Sequence, residues 1–138
     1  MSKPLLEALG PILDHLETVD MTSPTAAQDL NTSLPIDSPL LRQVRNLVVS
    51  GIEAGELTPR GEEGMRYGRL AKATEDSRGF SIDAVHMDRP GPGHTHPNGE
   101  IDLCFDLSGS PLFDGEPPGW VVKKPGSWHI PTVSGGDM

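Results

Sequence analysis

Glycine and proline divide the second half of this chain into short segments, and that division limits the folds open to it. The 138 residues include 16 Gly and 14 Pro. The turn-rich stretches TEDSRG, RPGPG, SGSPLFDGEPPG and KKPGS separate runs that contain β-branched and aromatic residues. Several short strands at this spacing are typical of an antiparallel sandwich or barrel. The predicted strands cover residues 69–73, 80–87, 100–107, 120–123 and 128–133.

Helical periodicity appears only before these strands. Leucines recur at helical spacing between residues 4 and 19, which predicts an amphipathic helix. Pro11 lies inside this helix and is expected to kink or restart it, because proline removes a backbone donor.

A second helix is predicted over residues 39–54. Ser38 can cap its start, Pro39 suits its first position, and Gly55 follows its end. The stretch before it, residues 21–37, is rich in Ser, Thr and Pro and is predicted to be a linker or loop.

These patterns predict two parts of the chain. Residues 1–66 form an N-terminal helical segment with its linker, and residues 67–138 form the β-domain. The expected fold class is therefore mainly β, an antiparallel barrel or sandwich preceded by helices.

Charge argues against several classes of partner. The formal net charge is −9, with 20 acidic and 11 basic residues, and no basic stripe is visible. Such a chain repels phosphate backbones and anionic lipid, so we expect neither nucleic acid nor a membrane as a partner. The single cysteine, Cys104, and the lack of a signal peptide favour a cytoplasmic protein.

The segment GPGHTHPNGE carries the most informative side chains. His94 and His96 are two residues apart, so on an extended chain they point to the same face. Glu100 follows after a predicted turn at Pro97–Gly99. Two imidazoles and one carboxylate form a common ligand set for Fe(II), and they also suit Mn, Zn, Ni or Cu.

A fourth ligand is predicted from the segment KKPGSWHIPTV. His129 follows a Pro-Gly turn and is flanked by residues that favour strands. A lone histidine in a loop is usually just solvated or hydrogen-bonded, but the H-x-H-x3-E pattern followed by P-G-x-x-H is much less expected by chance. We therefore predict a divalent transition metal (Fe, Mn, Zn or Ni) bound by His94, His96, Glu100 and His129.

These spacings resemble the two cupin motifs. GPGHTHPNGE is similar to the first motif and GWVVKKPGSWH to the second, although Gly109 comes two residues late and Pro125 adjoins Gly126. The resemblance implies a cupin barrel. Such a barrel needs further strand after its second motif, whereas this chain ends soon after His129 in PTVSGGDM. We expect either a C-terminally truncated barrel or closure by a partner subunit.

The chain as a whole is similar to the 4-hydroxylaminobenzoate lyases of nitroaromatic degradation. The likeness lies mainly in RGFSIDAVHMDRPGPGHTHPNGEIDLCFDLSG and WVVKKPGSWHIPTVSGG. It implies a metal-dependent lyase that converts 4-hydroxylaminobenzoate to 3,4-dihydroxybenzoate (protocatechuate) and ammonia. The alternatives are a cupin dioxygenase or isomerase acting on a small aromatic or carbohydrate substrate, and a non-enzymatic cupin that binds a small molecule through its metal.

The lyase hypothesis assigns catalytic roles to His86, Asp102 and Glu100. If Glu100 faces inward, strand alternation sends Asp102 and Cys104 the same way. Asp102 is expected either to orient a ligand imidazole or to be an ordinary solvated acid. His86 is either a pocket acid–base or a hydrogen-bonded core histidine. Cys104 is expected to be a buried, unreactive residue.

An aromatic carboxylate substrate would need a cation and an aromatic contact. We expect Arg89 to bind the carboxylate, and Trp128 and Tyr67 to contact the ring. The alternative cations are Arg66, Arg69 and Lys123. The apolar outer face predicted for the strand at 100–107 needs cover, either from the helix at 39–54 or from a second subunit, so a homodimer is expected.

Overall fold

The computed structural model describes residues 3–138, which divide into two compact units. The first unit runs to Thr18 and resumes from Asp37 to His86, and the second comprises Val19–Ile36 and Met87–Met138. The predicted domain boundary between residues 66 and 67 stays a prediction. The helices and strands, in chain order, are α1 (Lys3–Leu16), α2 (Ala26–Ser33), α3 (Pro39–Glu53), β1 (Arg60–Glu62), β2 (Met65–Ala71), β3 (Ile82–Met87), β4 (His94–His96), β5 (Glu100–Cys104), β6 (Ser108–Phe113), β7 (Gly119–Lys123), β8 (Ser127–His129) and β9 (Val133–Asp137).

In the first unit, helix α1 packs against helix α3. Helix α1 continues through Pro11, so the helix does not restart there, and a kink at Pro11 stays a prediction. The apolar residues on both sides of Pro11 stay on one buried stripe, and their burial offsets the lost donor. The core residues shared by the two helices are Leu5, Ile12, Leu13, Leu41 and Val44.

Helix α3 begins and ends as predicted. The Ser38 side chain accepts a hydrogen bond from the Leu41 amide, and Pro39 occupies the first turn. Gly55 follows with a φ of 72°, the left-handed conformation that commonly ends a helix. Strands β1, β2 and β3 form a three-stranded sheet in that order, in which β1 and β2 are antiparallel.

The second unit contains three antiparallel strand pairs: β4 with β8, β5 with β7, and β6 with β9. Its helix, α2, lies within the predicted linker, so that prediction was wrong. Helix α2 packs on β7. The Asn31 side chain bonds to both the backbone N–H and the C=O of Trp120, and the Trp120 indole donates to the Leu34 carbonyl.

Helix α2 packs on the apolar face of the β5–β7 pair. That face was expected to be covered by the helix at 39–54 or by a second subunit. Leu103 pairs with Trp120 across β5 and β7, so both side chains lie on the face that meets α2. Trp120 is only 4% exposed. The opposite face of the same strand pair carries polar side chains, Glu100, Asp102 and Lys123 among them.

Strand β6 was predicted to be a turn because SGSPLF contains Gly109 and Pro111. The strand forms because its register with β9 shifts between Gly109 and Leu112, which places the proline at an irregularity rather than in a regular ladder. The segment after His129 was expected to be short or missing as a strand. It forms β9, and Met138 exchanges two backbone hydrogen bonds with Met87.

The predicted fold class is confirmed in its coarser form. Residues 3–138 fold as a mainly β protein with N-terminal helices and antiparallel sheets, but their strand pairs do not close into a barrel. None of the helices in the described part of the chain is both long and apolar enough to cross a bilayer.

Candidate metal centre

Three imidazoles converge on one face of the β4–β8 ribbon. His94 pairs directly with His129, and His96 lies two residues from His94, so all three side chains share a face. One nitrogen from each ring lies within 4.8 Å of the others. The predicted gathering of His94, His96 and His129 is therefore present in the geometry.

Glu100 reaches the same cluster from the start of β5. Gly99, with a φ of 81°, makes the turn that separates it from β4, and a Cβ at this position would come within 2.9 Å of the Lys123 carbonyl oxygen. The Glu100 Oε2 atom lies 3.4 Å from His96 Nε2 and 3.7 Å from His129 Nε2. Glu100 thus lies beside two of the three imidazoles.

The separations among the His96, His129 and Glu100 atoms suit ligands around one ion. Metal–nitrogen bonds of about 2.1 Å at right angles hold their nitrogens about 3 Å apart. His96 Nε2 and His129 Nε2 are 2.8 Å apart, and the carboxylate oxygen is slightly farther from each. Imidazole and carboxylate groups are also common ligands of divalent transition metals.

Hydrogen bonds hold two of the rings in the tautomer that a metal requires. His94 Nδ1 lies 2.9 Å from the Pro92 carbonyl oxygen, and His129 Nδ1 lies 2.7 Å from Asp114 Oδ2. A carbonyl or carboxylate oxygen can only accept, so each Nδ1 carries the hydrogen and donates. Each Nε2 then keeps its lone pair for the cluster.

The surroundings of the third ring, His96, favour its neutral form. Burial lowers the pKa of His96, Glu100 opposes that change, and the adjacent His94 and His129 rings lower the pKa further. Only a neutral imidazole can donate a lone pair to a metal, so this environment favours ligation.

Asp102 lies beside Glu100 on the polar face of β5. Its Oδ2 atom is shielded from solvent and has no hydrogen-bond partner among residues 3–138, so the alternative of a solvated acid was wrong. Burial raises the pKa of Asp102 well above its ordinary value, and the Glu100 carboxylate beside it raises that pKa further. A protonated Asp102 can donate a hydrogen bond to the Glu100 carboxylate. Two ionised carboxylates cannot form such a bond, because neither carries a hydrogen.

Asp114 and Lys123 complete the surroundings of the cluster. The Lys123 ammonium lies 2.8 Å from Asp114 Oδ2. Burial raises the pKa of Asp114, but hydrogen bonds from Lys123, His129 and the Thr132 amide outweigh burial and leave it below its ordinary value. Asp114 was not among the predicted site residues, because its Asp-Gly dipeptide is typical of any turn.

Cys104 follows Asp102 on the same face of β5 and is buried, as predicted. Burial raises the pKa of the Cys104 thiol, and the nearby Asp102 and Asp114 raise it further. Because the thiolate is the reactive form, folded protein at pH 8 should react with a disulfide reagent at least about 100-fold more slowly than protein unfolded in guanidinium. Absorbance of the released thiolate measures both rates, and equal rates would contradict this placement.

The remaining predicted residues belong to other elements or faces of the structure. His86 (β3) and Tyr67 (β2) belong to the first unit. Trp128 is 62% exposed and lies on the face of the ribbon opposite His129. The Arg89 guanidinium contacts Asp88 and lines an open surface pocket of about 660 Å³ together with Ser108, Gly136 and Asp137.

Known proteins similar to this chain share one description. The family described as PnbB: 4-hydroxylaminobenzoate lyase matches residues 11–138. The 4-hydroxylaminobenzoate lyase of Nocardioides sp. (strain LMS-CY) is 33% identical over 152 aligned positions, which cover 99% of this chain and 87% of the relative. The enzyme of the same name from Pseudomonas putida is 28% identical, with coverage of 96% and 86%. No solved structure matches the chain significantly.

Proposed function

The chain belongs to the 4-hydroxylaminobenzoate lyase family, and we propose that it converts 4-hydroxylaminobenzoate to 3,4-dihydroxybenzoate and ammonia at a metal held by His94, His96, Glu100 and His129. The observation that carries the proposal is the cluster of three imidazoles, with Glu100 3.4 Å from His96 and with the Nδ1 atoms of His94 and His129 hydrogen-bonded to oxygen atoms. The cupin assignment, a small aromatic carboxylate as the substrate and a cytoplasmic homodimer are parts of the same proposal.

The reaction consumes one water and needs no external oxidant. The N–O bond of the hydroxylamine breaks, the neighbouring ring carbon gains a hydroxyl, and the ring carbon that carried nitrogen exchanges it for oxygen. The loss of the N–O bond offsets the oxidation of the ring. A bound divalent metal would polarise the hydroxylamine oxygen and lower the pKa of coordinated water to about 7.

The protein's own groups would bind the metal and move protons. Glu100 contributes an anionic oxygen to the ligand set, and His94, His96 and His129 contribute neutral nitrogens. Asp102 is the proposed acid–base group, since it lies next to Glu100 on the same face of β5. His86 stays a predicted alternative for that role.

Recognition of the substrate carboxylate is proposed for Arg89, which lines an open pocket. Lys123, an alternative cation, is paired with Asp114, and Arg89 is itself paired with Asp88. Tyr67 and Trp128 stay predicted ring contacts, although Trp128 points away from the imidazoles.

The test of the function is an assay of both products. Purified protein supplied with 4-hydroxylaminobenzoate should release ammonia and 3,4-dihydroxybenzoate in a one-to-one ratio, with no change in dissolved oxygen. The matched control substrate is 4-aminobenzoate, which has no N–O bond and should yield no ammonia. Folded protein carrying metal that released no ammonia would contradict the lyase assignment, and oxygen uptake would point to a dioxygenase instead.

A further inference from the structure

Asp114 is hydrogen-bonded by three groups of the protein, the His129 ring, the Lys123 ammonium and the Thr132 amide. Its Oδ2 atom accepts from His129 Nδ1 at 2.7 Å and from the Lys123 ammonium at 2.8 Å. Its Oδ1 atom accepts from the Thr132 amide at 2.8 Å. The side chain is 13% exposed, so the geometry of this carboxylate is set by protein groups rather than by water.

The backbone at Asp114 is held as firmly as the side chain. Its φ is 49°, in the left-handed region that Asp and Asn adopt more readily than most other residues. Its amide donates to the Thr132 carbonyl oxygen while its carboxylate accepts from the Thr132 amide. Because Thr132 is three residues from His129, this pair of bonds ties the turn after β6 to the segment that carries the imidazole.

The contact with His129 determines which ring nitrogen carries the hydrogen. A carboxylate cannot donate, so His129 Nδ1 must be protonated, and Nε2 of the neutral ring is left with a lone pair. That Nε2 is the atom 2.8 Å from His96 Nε2 and 3.7 Å from Glu100 Oε2. Asp114 therefore orients the ring and directs its lone pair to the cluster.

We infer that Asp114 is the positioning residue of the metal centre: it fixes the tautomer and the direction of His129, and Lys123 keeps its carboxylate in place. The inference rests on the proposed metal site. Carboxylate partners of ligand imidazoles commonly contribute 10- to 100-fold to metal affinity, so a loss of about that size is expected when Asp114 is neutralised.

The informative substitution is Asp114→Asn, because asparagine tolerates the left-handed turn. The backbone N–H of Thr132 cannot move, so the side-chain oxygen of the new asparagine will keep its hydrogen bond from Thr132. The Lys123 side chain is flexible and can rotate away from the asparagine nitrogen. The amide nitrogen of Asn then faces His129 Nδ1, which must become an acceptor. The Nε2 atom acquires the hydrogen and points it at the metal position.

Two measurements test this inference. In metal-free protein, ¹⁵N NMR of the imidazole nitrogens should show His129 as the Nδ1–H tautomer in wild type and as the Nε2–H tautomer in Asp114→Asn. Competition with a chelating dye should show Zn²⁺ affinity lowered about 10- to 100-fold in the variant. The matched control is Asp29→Asn, which removes the same charge from helix α2 and should change neither value.

Lys123→Met separates the ion pair from the imidazole contact. It should leave the His129 tautomer unchanged, because His129 still donates to Asp114. The inference is overturned if His129 keeps its Nδ1–H tautomer in a folded Asp114→Asn protein, or if Zn²⁺ affinity changes less than twofold. The His129 tautomer is measured without metal or substrate. The inference about Asp114 can therefore fail or hold whether or not wild-type protein releases ammonia.

Discussion

Replacing His96 with alanine should lower metal occupancy and lower ammonia release from 4-hydroxylaminobenzoate by more than about 100-fold, beyond the range typical of residues that only support a ligand. His96 Nε2 lies 2.8 Å from His129 Nε2 and 3.4 Å from Glu100 Oε2, and its side chain is 13% exposed. Alanine removes the ring nitrogen that lies nearest to the other ligand atoms, so the three remaining side chains should hold a divalent ion more weakly. Elemental analysis of purified protein and an ammonia assay measure the two effects.

The matched control is His15→Ala in helix α1, a histidine outside the cluster. It should retain wild-type metal content and turnover. Full metal occupancy in folded His96→Ala would contradict the assignment of His96 as a ligand.

Replacing Trp120 with alanine should lower the free energy of unfolding by about 3–5 kcal/mol, the usual cost of removing a buried tryptophan. The side chain is 4% exposed, and its indole donates to the Leu34 carbonyl oxygen at 2.8 Å. The substitution therefore leaves a cavity under helix α2 and removes a buried hydrogen bond. Chemical denaturation followed by circular dichroism measures the change.

Trp128→Ala is the matched comparison, since Trp128 is 62% exposed. It should change the free energy of unfolding by no more than about 0.5 kcal/mol, as expected for a surface position. Equal losses for the two tryptophans would contradict the packing of α2 on β7.

Features that depend on local spacing could be predicted from the sequence. The H-x-H pattern places His94 and His96 on one face of any extended segment, and the turn ending at Gly99 brings Glu100 back beside them. The start and end of helix α3 were equally predictable, because Ser38, Pro39 and Gly55 act within one turn of the helix.

Features that depend on distant contacts could not be predicted in this way. Helix α2 lies in a segment of low helical preference, and it is stabilised by Asn31 and Trp120, which are far apart in the chain. Asp114 belongs to an ordinary Asp-Gly turn, and its role arises only when β8 brings His129 to it. The environment of Asp102 likewise follows from packing rather than from sequence alternation.

The most direct test of the proposed metal-dependent lyase is ammonia release measured against metal occupancy. Protein stripped with a chelator and reconstituted with increasing amounts of a divalent transition metal should show turnover that rises in proportion to bound metal and levels off at about one ion per chain. The three imidazoles form a single cluster with Glu100 beside it, so one ion is expected. Full turnover in metal-free protein would contradict the proposal that the lyase reaction depends on a bound metal.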